Sequence, residues 1–427
     1  MSLGRLTFGA LAVSLAMATV SAPLLAESYI TIDAGRGPVK VYYPVSYHPD
    51  EPLPLIMALH GYTSSGANCE SRFQLRQHVD SRRFIYLYPD GSLNSQGWQF
   101  WNGTNVCCDY EGSGVDDSAY LRGLITQIRG LLNVDPQRIT SIGYSNGGFM
   151  SHRLACEAPG TFASIVSVAG LTWQDPDDCP ADEPVHVLQI HGTNDDIIPY
   201  SMGPNLGAES SARHWAEVAH CSDDPDESLS DVDLNPSIPG SETTRKRWVN
   251  CNPSGSAELW TIWGGVHEFD FVPSFSTLLL DWIESHPKQV MATSYCQSGP
   301  NSLATEGAKI HLEGYPSLSS SGLELRADLV PQGQFGIFFG GVSAENPPVN
   351  FGNGYRCVQA LGLHRLNPAV QISNWEARRP LDLSAPPLSS YQPGDTRYFQ
   401  FWYRDPNDPN GSATFNLTDG IEVTLWP

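Results

Sequence analysis

Short apolar runs without polar alternation recur along the first two thirds of the chain. They lie at 53–61 (LPLIMALHG), 83–91 (RFIYLYPDG), 138–145 (RITSIGYS), 163–170 (ASIVSVAG), 184–192 (PVHVLQIHG) and 257–265 (AELWTIWGG). Stretches of helical period separate them, near 116–133, 147–157, 208–220 and 274–285. Strands that are apolar on both faces are buried on both faces. The pattern therefore predicts an α/β fold with a mostly parallel sheet covered by helices on each side. Ahead of it, 29–44 alternates around a glycine turn and predicts an antiparallel entry hairpin.

The pattern changes near His286. A linker-like stretch follows, and beyond it only short strand-like runs occur, separated by Pro and Gly turns: AKIHLEG, LELRADLV, QFGIFFGG, YRCVQAL, TRYFQFWYRDP and GIEVTLWP. These predict an all-β sandwich. The expected division is a leader at 1–26, an α/β unit at 27–288 and a β-sandwich at 289–427. The acidic, Pro/Ser-rich segment 222–242 reads as a surface loop inserted in the α/β unit, placed to roof or narrow a cleft.

Composition sharpens this picture at three points. The N-terminus carries Arg5, an apolar run and small residues before Ala26, which predicts a secretory signal peptide. No other stretch approaches 18 uninterrupted apolar residues, so no membrane association is expected once that segment is removed. The formal charge of −22 disfavours nucleic acid as a partner, because a polyanion would be repelled.

The nine cysteines lack tandem zinc-ligand spacing, and in an oxidising compartment they read as disulfides. Loop lengths favour Cys156–Cys179, Cys221–Cys251 and Cys296–Cys357. Cys69 is left to pair with Cys107 or Cys108, with one of that adjacent pair unpaired.

The strongest chemical signal is Gly143-Tyr144-Ser145-Asn146-Gly147, which fits G-x-S-x-G between a strand and a helix. On such a turn the serine is aimed into a cleft, and the next N–H faces a developing oxyanion at a helix start. A nucleophilic serine needs a base, and the base needs an orienting acid. Asp195 and Asp196 fall in the loop after one buried strand and His267 in the loop after the next, both at strand carboxyl ends where α/β clefts form. Asn146 and Tyr62 are the candidate oxyanion donors through their backbone N–H groups, with Thr63 as the fallback. Trp98 and Trp101 are candidate cleft residues. His60, His191 and His286 read as structural. No cofactor or metal is called for.

The entry hairpin, sheet and elbow together give the layout of an α/β-hydrolase. Six blocks in order carry a closer resemblance: HGYTSSG, YPDG, WNGTNVCCDYEGSGVDD, DPQRITSIGYSNGGFMSHRLACE, HGTNDDIIPY and GGVHEF. The chain from about 29 to 287 resembles the secreted polyhydroxybutyrate depolymerase-like esterases and their feruloyl and acetylxylan esterase relatives of carbohydrate esterase family one. The resemblance implies Ser145 as nucleophile, Asp195 as triad acid with Asp196 on a variable position, and His267 as base. It implies that Asp116-Asp117 starts a helix and holds the cleft wall. Val266 stands where the family usually has glycine, and Glu268-Phe269 where a Trp often follows, which bears on substrate preference. The tail resembles a small β-rich module appended to secreted bacterial proteins.

The expected function is a secreted serine esterase acting through an acyl-enzyme on a polyester or on plant-cell-wall esters. The rivals are a peptidase or acyltransferase on the same scaffold, or a non-catalytic binding protein.

Overall fold

The computed structural model describes residues 28–426 except 180, 182, 204, 290, 319–321 and 410. The expected leader at 1–26 lies outside the described residues.

Nine strands form one large sheet. In chain order they are β1 (Ser28–Asp33), β2 (Pro38–Tyr43), β3 (Leu53–Leu59), β4 (Ile85–Leu87), β7 (Val134–Tyr144), β8 (Ser164–Val168), β9 (His186–Gly192), β10 (Thr243–Arg247) and β11 (Ser256–Ile262). The small ribbon β5 (Ser92–Leu93) and β6 (Gln99–Phe100) stands apart from it. The spatial order is β1-β2-β4-β3-β7-β8-β9-β11-β10. The run from β4 to β11 is parallel throughout, while β1, β2 and β10 pair antiparallel at the two edges. This is the α/β-hydrolase layout that the apolar runs predicted.

Alternate strand residues go to opposite cores. Ile56, Ile142, Val166, Leu188 and Trp260 pack with helices α1 (Gly66–Phe73) and α6 (Phe275–Glu284) on one face. Leu55, Met57 and Ile139 pack with α3 (Asp117–Arg129) and α4 (Asn146–Glu157) on the other. That second face continues through Ile165, Val187 and Leu259 to α5 (Ala208–Val218). The short α2 (Val79–Arg82) follows α1.

Two elements of this unit differ from expectation. The helix α1 has few apolar residues to mark its period; Cys69 and Phe73 are its buried anchors, and Ser65 Oγ caps it by accepting from Asn68 N–H at 3.2 Å. The edge strand β10 is polar and basic (TTRKR), a composition that suits an edge and hides it from an apolar search.

The 222–242 segment is more integrated than a surface loop. Bridges join Asp226 to Arg247 and Val232 to Thr243. Leu234 is fully buried, and its carbonyl accepts from Val272 N–H at 3.0 Å. The carboxylate of Glu242 gathers donors from Leu234 N, Asn235 N and Thr243 Oγ1. The buried Leu234 and the three donors gathered on Glu242 Oε1 hold the segment against the fold.

Beyond residue 290 the described elements are β-strands, apart from one 3-10 turn at Leu388–Ser390. Strands 292–294, 421–424, 396–404, 335–341 and 364–371 pair antiparallel in that order, with 415–417 on the edge of 396–404. A second sheet of 309–313, 324–328 and 376–380 shares one core with the first, through Ile310, Leu325, Phe338 and Phe401. A hairpin of 344–351 and 354–358 lies alongside.

The cysteines correct one expectation. Cys156–Cys179, Cys221–Cys251 and Cys296–Cys357 are bonded, but so are the adjacent Cys107 and Cys108, and Cys69 is the free thiol. Cys69 sits on α1 in one core with Phe73 and Tyr86. Cys107 and Cys108 pack in a separate cluster with Phe149 and Leu171. A bond from Cys69 would have to cross between those clusters.

Burial also sets an acid limit on stability. It is the main cause pushing His152 and His186 down to about 3. In the unfolded chain both titrate near 6.5. Between those values the unfolded state binds more protons, so stability falls as pH falls from about 6.5 towards 3. The unfolding midpoint temperature is expected to drop steadily across that window; a midpoint constant from pH 7 to 4 would contradict it.

Candidate active site

The three polar groups singled out in the sequence converge at the carboxyl ends of β7, β9 and β11. Ser145 follows β7 and precedes α4, with φ 53° and ψ −118°. This sparsely populated conformation persists only when its surroundings impose it. The neighbouring glycines show how they do. A Cβ on Gly147 would lie 2.1 Å from Leu59 O, and one on Gly143 2.0 Å from Gly147 O. Only bare backbone lets β3, β7 and α4 approach this closely.

His267 Nε2 stands 3.0 Å from Ser145 Oγ, and its Nδ1 2.7 Å from Asp195 Oδ2. His267 and Asp195 are both buried, while Asp196 is exposed. Asp195 receives four donors. Ile197 N–H and Ile198 N–H bond Oδ1 at 3.0 and 2.7 Å, and His191 Nε2 lies 3.3 Å from Oδ2 beside His267. Burial alone raises this carboxyl, but the bonds from His191 and His267 outweigh it and hold Asp195 well below the usual carboxylate range.

His191 therefore does more than fill space. It ends a chain of hydrogen bonds whose direction is set at its far end. Trp215 Nε1–H donates to His152 Nδ1 at 3.0 Å, so His152 carries its proton on Nε2 and donates to Gln189 Oε1 at 3.0 Å. The Gln189 amide donates to Gly170 O at 2.7 Å and meets His191 Nδ1 at 3.3 Å. The proton of His191 is then on Nε2, shared between Ile198 O at 2.8 Å and Asp195.

The His267 loop is fastened by residues the sequence reading passed over. The Tyr144 hydroxyl donates to His267 O. Arg72 stacks on the Tyr144 ring, with its guanidinium carbon 4.0 Å from the centroid, donates to Phe269 O at 2.6 Å and pairs with Glu268 at 2.6 Å. Tyr144 was visible as the x of the elbow motif; Arg72 carried no local signal. Ile238 of the 222–242 segment packs near Gly264, just before this loop.

The loop after β3 passes beside the serine: a Cβ on Gly61 would sit 3.5 Å from Ser145 Cβ. Thr63 N–H is taken by Gln99 O at 2.8 Å, whereas among the described residues nothing accepts from Tyr62 N–H. Asn146 opens α4, so its N–H has no partner within the helix. Its side chain is fully buried and exchanges two bonds with the backbone of Trp101, at 2.7 and 2.8 Å.

Trp98 is half exposed, stands edge-on to the Tyr62 ring and lines a hollow of about 290 Å³ with Asn94, Phe100 and Tyr110. Trp101 departs from expectation. It is fully buried with its indole N–H on His60 O at 3.1 Å, so it belongs to the wall and offers no ring face to a ligand. Asp116 caps α3 by accepting from Ala119 N–H at 2.9 Å. The buried Asp117 ties Ser92, Asn102 N–H and Arg36 together.

Known proteins resemble this chain over part of its length. Feruloyl esterase B of Piromyces equi is 27% identical over 258 residues, 56% of this chain and 45% of that protein. A protein named probable feruloyl esterase C, of Aspergillus clavatus, is 26% identical over 238 residues, 54% of this chain and 80% of that one. The chain thus spans less than half the length of the Piromyces relative. Among solved structures, an acetyl xylan esterase from Aspergillus awamori superposes with a TM-score of 0.44 at 15% identity, covering 60% of this chain and 99% of its own. Residues 34–224 match the family described as "Putative esterase".

Proposed function

We propose that this chain is a secreted serine carboxyl-ester hydrolase that removes feruloyl or acetyl groups from plant-cell-wall polysaccharide through an acyl-enzyme. The observation carrying this reading is the hydrogen-bonded line from Ser145 Oγ through His267 to Asp195. Neutral His267 takes the Ser145 proton as Oγ attacks the ester carbonyl. The N–H groups of Asn146 and Tyr62 stabilise the tetrahedral oxyanion, helped by the positive end of α4. Asp195 fixes the His267 tautomer and steadies the imidazolium. His267 then protonates the leaving alcohol, and water repeats the cycle on the acyl-enzyme.

The relatives' names supply the acyl groups, and the Tyr62–Trp98–Tyr110 hollow suits a flat aromatic one. Residues 27–288 form the catalytic unit in this reading and 289–427 an accessory domain. The four disulfides support an extracellular or periplasmic address. Among the described residues no helix is long and apolar enough to cross a membrane.

A panel of methyl ferulate, acetylated xylan, hydroxybutyrate oligomers and film, and a short peptide tests the assignment. Turnover of methyl ferulate or acetylated xylan above the others is expected. Hydrolysis of only the polyester or only the peptide would overturn the substrate assignment.

A further inference from the structure

One face of the larger tail sheet is ordinary. Phe338, Phe399, Phe401 and Tyr403 turn into the shared core and are almost fully buried. The opposite face should be polar, as antiparallel sheets with one packed side usually are. Instead, Phe335, Ile337 and Phe339 line it, with Trp402 from the neighbouring strand. Phe335 is half exposed. The 344–358 hairpin brings Phe351 over this face, its ring 5.3 Å from that of Phe415, which in turn lies 5.5 Å from Trp402. The hollow they enclose has a volume of about 730 Å³. That is within the roughly 300–1,000 Å³ of small-molecule sites.

Its polar side chains are of one kind. Arg356, Arg365 and Arg404 line it, and among the described residues no acidic, amide or hydroxyl side chain does. Arg356 pairs with Glu345 at 2.9 Å, but among the described residues Arg365 and Arg404 have no carboxylate partner. In a chain with 46 acidic residues against 24 basic ones, three guanidinium groups facing one carboxylate are a local reversal of charge. Arginine and the tryptophan N–H donate and cannot accept. A sugar, rich in hydroxyl donors, would find no side-chain acceptor here. A polyanion would meet the repulsion of the whole molecule. What fits is a flat ring for the aromatic walls, with one carboxylate for a bidentate guanidinium contact.

We propose that this tail cavity is a binding site for an aromatic carboxylic acid. None of its residues takes part in the catalytic reading above, so the two stand or fall separately. The test is calorimetric titration of free 4-hydroxycinnamate into the full chain after treatment with a phosphonate ester that occupies the catalytic serine. The Arg365→Gln/Arg404→Gln double variant is measured beside it, and nitrophenyl-ester turnover of both untreated preparations reports on the esterase reading independently.

Binding to the parent chain is expected, weakened at least about tenfold in the double variant, since each charge-assisted contact is worth about that factor. Turnover and unfolding temperature should be unchanged. Trp402→Ala should weaken binding as well, through the ring. Equal affinity in parent and double variant, equal affinity for the uncharged methyl ester of the same acid, or preferential binding of xylohexaose or polygalacturonate would each overturn the proposal.

Discussion

Replacing Ser145 with alanine should lower kcat for a short-chain nitrophenyl ester by roughly 10⁶-fold, the loss seen when a serine nucleophile is deleted from such a constellation. The residual rate would come from binding and the oxyanion donors, which the substitution leaves in place. Folding is the necessary control. Alanine keeps the Cβ, so the strained backbone at φ 53° is no more strained than before. Only the Oγ contact with His267 is lost. The unfolding temperature should therefore stay within a few degrees of the parent, as for the loss of about 1 kcal/mol. A correctly folded Ser145→Ala protein with turnover within tenfold of the parent would remove serine catalysis from the reading.

The elbow was legible because its constraints are local. A serine on a tight strand-to-helix turn needs bare backbone on both sides, so Gly143 and Gly147 write the geometry into five consecutive residues. The parallel sheet was legible for a related reason: strands such as β3 and β8 are buried on both faces and read as unbroken apolar runs. What was missed depends on contacts distant in sequence. Arg72 braces the His267 loop across nearly two hundred residues, and nothing near it marks that task. The strand 344–351 contains two prolines and 364–371 one, a composition that argues against strands until the hairpin and sheet edge are seen. Cysteine spacing gave three disulfides but could not tell which core Cys69 faces. His191 looked structural because its role lies in the direction of a proton.

That direction shapes the second large expectation, for Asp195→Asn. Two backbone N–H groups fix one side-chain oxygen of residue 195, so an asparagine must keep its carbonyl there, towards Ile197 and Ile198. Its NH₂ group then falls where Oδ2 was, facing His267 Nδ1 and His191 Nε2. An NH₂ group can only donate, so His267 must present a bare Nδ1 and carry its proton on Nε2. That nitrogen faces Ser145 Oγ and can no longer accept the serine proton. The same NH₂ group also meets the Nε2–H of His191, whose tautomer is held from the far side by Gln189, His152 and Trp215.

A fall in kcat of about 10⁴ is expected, the size of the effect when an orienting aspartate is replaced in this way. Nuclear magnetic resonance should show the His267 proton moved from Nδ1 to Nε2. The exposed Asp196→Asn should change neither reading. Because Asp195 lies well below the ordinary carboxylate range, the parent keeps this carboxylate ionised through the acid range in which the buried histidines begin to destabilise the fold. Activity lost above about pH 4 therefore reports on groups other than Asp195. An Asp195→Asn protein within tenfold of the parent, with the His267 proton still on Nδ1, would show that some other group orients the base.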